Sequence, residues 1–229
     1  MPGERYFSRE LFSFLEELAA NNNRPWFQEN KPRYEEYVKG ASIQFIEDFA
    51  PNLAKISKHF LADPSGNGGS LFRIYRDTRF SKDKRPYKTH VGIRFQHELA
   101  KSVHAPGYYL HMAMDGVWVG TGIWHPEADA LKKIRGAIMD DPAAWKRAKN
   151  AKRFRETFEL TGDSLKRAPK GVDPDHPLIE DLRRKDFIGV SKLTKKVLYG
   201  PDFMSTFTAK CRDAVSLNRF LCQALGLQY

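Results

Sequence analysis

The stretch YYLHMAMDGVWVGTGI, residues 108–123, decides the fold class. In an extended chain, successive side chains alternate between two faces. Tyr108, Leu110, Met112 and Met114 then share one face, and Tyr109 and His111 take the other. Asp115-Gly116 is a hairpin-turn dipeptide, after which residues 117–123 return as the partner strand. Gly120 and Gly122 permit twist there, or the close approach of another backbone or a ligand. One apolar and one polar face per strand is the pattern of an antiparallel sheet packed on one side.

Just upstream, LFRIYRDTRFSKDKRPYKTHVGIRF, residues 71–95, reads as two further strands, 71–77 and 91–97, separated by a cationic loop. Alternation pairs Arg73 with Tyr75 against Phe72 and Ile74, and sets Val91, Ile93 and Phe95 against Arg94 and Gln96. One sheet face is therefore expected to collect Arg73, Tyr75, Arg94, Tyr109 and His111.

Working outward, Ser8 is positioned to cap a first helix through about residue 20, with Leu11, Phe12, Leu15 and Leu18 as its stripe. Pro25 suits the first turn of a second helix and Pro32 marks a kink or restart, beyond which Ile43 to Phe60 continues apolar helical packing. Residues 63–69, DPSGNGG, form a loop without the lysine and hydroxyl residue of a phosphate-binding P-loop. Helices are expected over 127–139, from Pro142, briefly over 176–184, and as one long element over 201–225. Residues 186–190 read as an edge strand and 160–175 as an ordered loop. The expectation is an α+β fold: a single domain over 1–229, with a mainly antiparallel central sheet and N-terminal and C-terminal helices packed on it.

The chain has 229 residues, 41% hydrophobic and 29% charged, which is ordinary globular composition. Its formal charge of +10 favours anionic partners: nucleic acid, phosphorylated metabolites or an anionic surface. With no run long enough to span a membrane and only Cys211 and Cys222 present, a cytoplasmic location without membrane insertion is expected. The two cysteines, eleven residues apart on one helix, are too far separated to join.

No catalytic constellation emerges. The chain lacks GxSxG, HExxH and CxxC motifs, and no cofactor is implied. His90, His97, His104 and His111 recur every seven residues, but positions seven apart on a strand face opposite sides, so no metal site is assigned. Asp77 and Asp83 stand beside arginines that favour their ionised forms.

What remains is anion recognition. Guanidinium groups make paired hydrogen bonds to phosphate or carboxylate, lysines add point charge, and tyrosines offer rings and hydroxyls. The candidate ligand-binding residues are Arg73, Tyr75, Arg76, Arg79, Lys84, Tyr87, Lys88, Arg94, Tyr109 and His111. The leading expectation is a phosphorylated or other anionic small molecule, with any catalysis unassigned. Nucleic acid is the second reading, supported by the basic residues 145–155 but by no recognition helix, zinc finger or paired RNP motif. In a third reading, Arg73, Asp77 and Arg94 lock strands together in a noncatalytic structural or interaction domain.

Three segments carry a family resemblance. RIYRDTRFSKDKRPYKTH (73–90), GYYLHMAMDGVWVGTGIWHP (107–126) and LTGDSLKRAPKGVDPDHPLIEDLRRKDF (160–187) resemble, in this order, the signatures of domain of unknown function family 2461. The similarity runs over about residues 7–225. It implies a single family domain and no activity, and it draws interest to Arg73, Arg76, Asp77, Arg79, Lys84, Pro86, Tyr87 and Lys88.

Overall fold

The alternation in residues 108–123 is realised in a computed structural model that describes residues 5–66, 68–100 and 104–229. Asn67, within the loop expected at 63–69, lies outside the described residues. Among the described residues, six strands form one sheet: β1 (Phe60–Leu61), β2 (His90–His97), β3 (Gly107–Ala113), β4 (Gly116–Ile123), β5 (Glu159–Thr161) and β6 (Phe187–Leu193). Their order is β1-β2-β3-β4-β6-β5, and each adjacent pair is antiparallel. The α+β architecture is as expected, and the strand inventory is larger.

The N-terminal layer comprises α1 (Arg9–Ala20), α2 (Arg24–Glu29), α3 (Lys31–Arg33), a π-helical segment Tyr34–Gly40, and α4 (Ala41–Ala54). Asn23 caps α2 by accepting a hydrogen bond from the Trp26 amide at 3.0 Å. Pro32 restarts the helix as α3, as its missing N–H requires. After β4 come α5 (Ala128–Asp140), α6 (Pro142–Lys149), α7 (Lys152–Thr157) and, following β5, α8 (Ile179–Leu182). The chain closes with α9 (Lys195–Leu198), α10 (Phe203–Asp213) and α11 (Val215–Ala224).

Register explains the core. Val91, Ile93 and Phe95 of β2, Tyr108, Leu110 and Met112 of β3, and Val117, Val119 and Ile123 of β4 are all buried. Phe95 meets Phe49 of α4 at 4.7 Å and Phe207 of α10 at 5.8 Å, while Phe45 links α4 to Phe203 at 5.2 Å. Farther along, Trp145 of α6 packs on Phe187 of β6 and Phe220 of α11. Each such ring contributes about 1.5–3 kcal/mol through burial, so this aromatic layer welds the helices to one sheet face.

Several expectations are corrected. Residues 71–77 form no regular strand; they touch their neighbours through isolated bridges, Leu71 to Ile93 and Tyr75 to Tyr87. Phe72 and Ile74 consequently do not share a face: Ile74 is buried, and Phe72 lies against Tyr109. Phe60 belongs to β1 rather than a helix. The segment called an edge strand is β6, which sits between β4 and the short true edge β5. Met114 occupies the turn and is 43% exposed. The long terminal helix is broken at Ala214, so Cys211 and Cys222 lie on separate helices, both buried and both free thiols.

Candidate functional site

The alternation that buries one sheet face lifts the other half of each strand outward. Register places Tyr109 between Arg94 and Gly120, and His111 between Gly92 and Trp118. The rings of this outer face touch in sequence. His90 stacks on His111 at 5.1 Å, His111 on Trp118 at 4.6 Å, Tyr109 lies 5.2 Å from Trp118, and Phe72 lies 5.7 Å from Tyr109. Glycines make the room: a Cβ at Gly92 would run into the Tyr109 hydroxyl, and one at Gly120 would come within 3.0 Å of the Trp118 ring. The His90, His111 and Trp118 rings stack on one another across the strands, so His111 turns its faces to its two neighbours.

Half-burial makes this platform electrically neutral. Burial, reinforced by His90, lowers the His111 pKa to about 4, and burial with the nearby Lys88 charge lowers that of His90. Burial pushes the Tyr109 phenol up to about 12, so its hydroxyl keeps its proton and can donate across 3.3 Å to His111 Nδ1.

Cations gather along one side. Lys88 Nζ stands 5.2 Å from the centre of the Phe72 ring and the Arg94 guanidinium 5.6 Å from it. Arg94 also donates to the Gln96 side chain. Burial, and secondarily the charge of Arg73, depress the Lys88 pKa. The side chains of Arg73 and Lys88 make no hydrogen bond or ion pair with the described residues, so their charge is available to a ligand. Lys88, rather than Arg73, is the companion of Arg94 over Phe72; Arg73 reaches the group through its field on Lys88.

The remaining cationic candidates are occupied within their own loop. Arg76 Nη1 donates to Asp83 Oδ2 at 2.7 Å and to the Arg85 carbonyl at 3.2 Å. Arg79 holds Asp77 at 2.7 Å, and Lys84 Nζ donates to the Thr78 carbonyl at 3.0 Å. The Asp77 and Asp83 carboxyls are held well below the usual range by the Arg79 and Arg85 guanidinium groups, which disfavours either as a neutral acid. The tip carries Phe80, 96% exposed, beside Arg79.

Tyr75 and Tyr87 belong to a separate grouping. Tyr87 is buried, stacked on Phe27 at 4.2 Å, and its backbone is clasped by the Asn22 side chain through two 3.0 Å hydrogen bonds. Tyr75 is 51% exposed and lines, with Arg24, Gln28, Arg76, Thr78 and Pro86, a cleft of about 360 Å³. A second cleft of about 140 Å³ is lined by Arg76, Asp83, Arg85, Lys88 and His90, with Asp83 paired to both arginines. Of the ten sequence-based candidates, Lys88, Arg94, Tyr109 and His111 come together on the outer face, with Arg73 at its margin. Tyr75, Arg76, Arg79, Lys84 and Tyr87 do not. Phe72, His90 and Trp118 were missed, although the same alternation that exposed Tyr109 also exposes Trp118.

Other chemistry is less accommodating. Among the described residues, His59, His97 and Glu98 are close enough to share an ion. His97 already spends both ring nitrogens, Nε2 on the Gln228 carbonyl at 2.9 Å and Nδ1 on the Leu99 amide at 3.1 Å, and His59 Nδ1 lies 2.6 Å from Glu98. A metal would have to break those bonds. Burial raises the pKa of both thiols, which keeps them protonated and poorly nucleophilic.

Within residues 160–187, Asp181 and Asp186 are buried and Arg183 is half-buried, whereas the other acidic residues and the lysines are exposed. Asp186, 2% exposed, accepts hydrogen bonds from the amides of His125 at 2.6 Å and Asp163 at 2.8 Å. Arg183 donates to the carbonyls of Leu165 and Lys166 at 2.7 Å each, and Lys149 reaches the buried Asp181 at 2.5 Å. His125, held over Asp186, is the one non-glycine residue with positive φ among those described. These are clamps on the chain.

No helix of the described residues is long and apolar enough to cross a membrane. The chain belongs to the family described as conserved hypothetical protein (DUF2461), whose family model matches residues 10–220. No curated protein and no solved structure matches it.

Proposed function

Within that family, we propose that this protein binds a phosphorylated ligand carrying a planar ring, a nucleotide-class molecule, on the outer face of its sheet. The observation that carries the reading is the pairing of available cations with neutral rings. Lys88 and Arg94 flank Phe72 beside the run Tyr109, His111, Trp118. Arginine and lysine suit phosphate, and flat side chains suit a base. The neutrality of His90 and His111 above their lowered pKa values favours stacking over ion pairing at neutral pH.

Adenosine monophosphate and inorganic phosphate are the test ligands, followed by tryptophan fluorescence with Trp118→Phe as the control that assigns the signal. Arg94→Ala and Lys88→Ala each weaken the nucleotide by about tenfold, the order expected for a charged hydrogen bond. Phosphate alone binds more weakly than the nucleotide. Affinity unchanged in both variants removes the reading.

A further inference from the structure

We infer that the cleft between α2 and the 73–90 hairpin is a second site, independent of the outer face, that binds a small phosphorylated polyol of the sugar-phosphate class.

The walls of this cleft are held by groups other than the side chains that face it. The two limbs of the hairpin are joined by the Arg76 amide on the Pro86 carbonyl and the Lys88 amide on the Ile74 carbonyl, each at 2.8 Å. Asn22, between α1 and α2, fastens that hairpin to the helices by bonding the amide and the carbonyl of Tyr87. The Asn23 cap fixes the start of α2, and Arg24 and Gln28, four residues apart, share one face of it. The facing side chains are therefore not needed to hold the walls, and a ligand meets a preformed site.

Those side chains carry unspent polar groups. Arg24, Gln28, Tyr75 and Thr78 all line the cleft, and their side chains make no hydrogen bond or ion pair with the described residues. Arg76 meets Asp83 and the Arg85 carbonyl through Nη1 alone, so its Nε and Nη2 have no partner among the described residues. Asp83 lines the neighbouring smaller cleft and not this one. Two guanidinium groups thus line a cleft without a carboxylate among its described lining residues, a setting for phosphate. The Arg24 charge reaches the interior: burial and Tyr75 raise the pKa of the Tyr87 phenol, and Arg24 works against them.

The rest of the lining selects the body of the ligand. Small-molecule clefts begin at about 300 Å³ and are mostly apolar, with a few polar groups. This one, about 360 Å³, reverses the proportion, because Pro86 is its one described lining residue without a polar side-chain group. Hydroxyls suit it: the Gln28 amide and the Thr78 and Tyr75 hydroxyls each donate and accept. A base does not. Tyr87 is 2% exposed with a face stacked on Phe27 at 4.2 Å, and Tyr75 leans against it at 5.5 Å and 45°, so the two rings leave no parallel slot. Pro86 and the exposed body of Tyr75 offer instead a small apolar wall to the C–H side of a sugar.

Isothermal titration calorimetry of the full chain with glucose 6-phosphate, ribose 5-phosphate and glycerol 3-phosphate, against glucose and inorganic phosphate, tests this. At least one of the three is expected to bind about tenfold more tightly than glucose or inorganic phosphate. Arg24→Ala, at an exposed position, weakens it by about tenfold at an unchanged melting temperature. Gln28→Ala and Tyr75→Phe each weaken it by about threefold and leave inorganic phosphate as in the parent, because they touch the polyol rather than the anion. Lys88→Ala and Arg94→Ala leave it unchanged, and Arg24→Ala leaves adenosine monophosphate unchanged. Failure of all three to bind, affinity no greater than that of inorganic phosphate, or binding indifferent to Arg24→Ala overturns the site. Weakening of the same ligand by both Arg24→Ala and Arg94→Ala overturns its independence. Loss of adenosine monophosphate binding with the sugar phosphate retained overturns the outer-face reading alone.

Discussion

Residues 73–90 and 160–187 are both rich in Arg, Lys and Asp, and they differ in what their least exposed charges hold. In 160–187 a few charges bind backbone from the inside, Asp186 gathering the amides of His125 and Asp163 and Arg183 the carbonyls of Leu165 and Lys166, while Lys166, Arg167, Lys170, Asp173 and Asp175 stay exposed. In 73–90 the pairs are short-range and exposed, Arg79 with Asp77 and Arg85 with Asp83, while the Arg73 and Lys88 side chains have no ion-pair partner among the described residues. Burial makes the difference. A buried charge demands its partners and thereby fixes a chain path, whereas an exposed pair is screened and contributes little. Residue type alone therefore does not separate a clamp from a binding surface.

The largest effect expected of this contrast is at Asp186. Asp186→Ala takes the buried carboxylate from the amides of His125 and Asp163 and is expected to remove about 3 kcal/mol of unfolding free energy in urea titration. Asp83→Ala, in the exposed loop, should leave the midpoint unmoved; equal losses would erase the distinction. Lys149→Ala comes next, because it leaves the buried Asp181 short of its principal cation; about 2 kcal/mol is expected.

The outer face contributes a pH dependence of similar size. The folded pKa of His111, about 4, lies below its ordinary value near 6.5. Between those values the unfolded chain holds the extra proton, so stability rises with pH across the window. Acidification from pH 6.5 to 4 should cost about 2 kcal/mol at this residue, allowing for the solvent that reaches the face, with no further loss below pH 4. Melting curves of His111→Phe across this range should be flatter than those of the parent; an unchanged profile would mean that the ring is not desolvated. The smallest effect belongs to Phe80, whose 96% exposure leaves nothing to lose. Phe80→Ser should keep the parent melting temperature, and a clear drop would show that the hairpin tip is packed rather than free.

The hairpin of β3 and β4 was legible because alternation and the Asp115-Gly116 turn agree, and a slip by one residue would expose Leu110 and bury His111. The break at Ala214 was not. No proline or glycine marks it; α10 turns toward α4 and α7, whereas α11 turns toward α5 and α6, so packing partners divide one continuous apolar stripe. The strand expected over 71–77 also failed, since its pairing is limited to Leu71 and Tyr75 while Phe72 is drawn onto Tyr109. For the candidate site, sequence identified Arg94, Tyr109 and His111 by face. It could not separate available Lys88 from occupied Arg76 and Lys84, which differ only in what the folded loop brings within reach.

By itself, then, the sequence determined the α+β class, the antiparallel hairpin and the two-sidedness of its central strands, because these follow from local periodicity and steric preference. Tertiary structure alone decided that β6 is interior, that Asp186 is a clamp, and that His90, His111 and Trp118 form one neutral row. Each of those depends on groups far apart in the chain sharing a low-dielectric space, and the energy of a charge or ring is set by that space rather than by its neighbours in sequence.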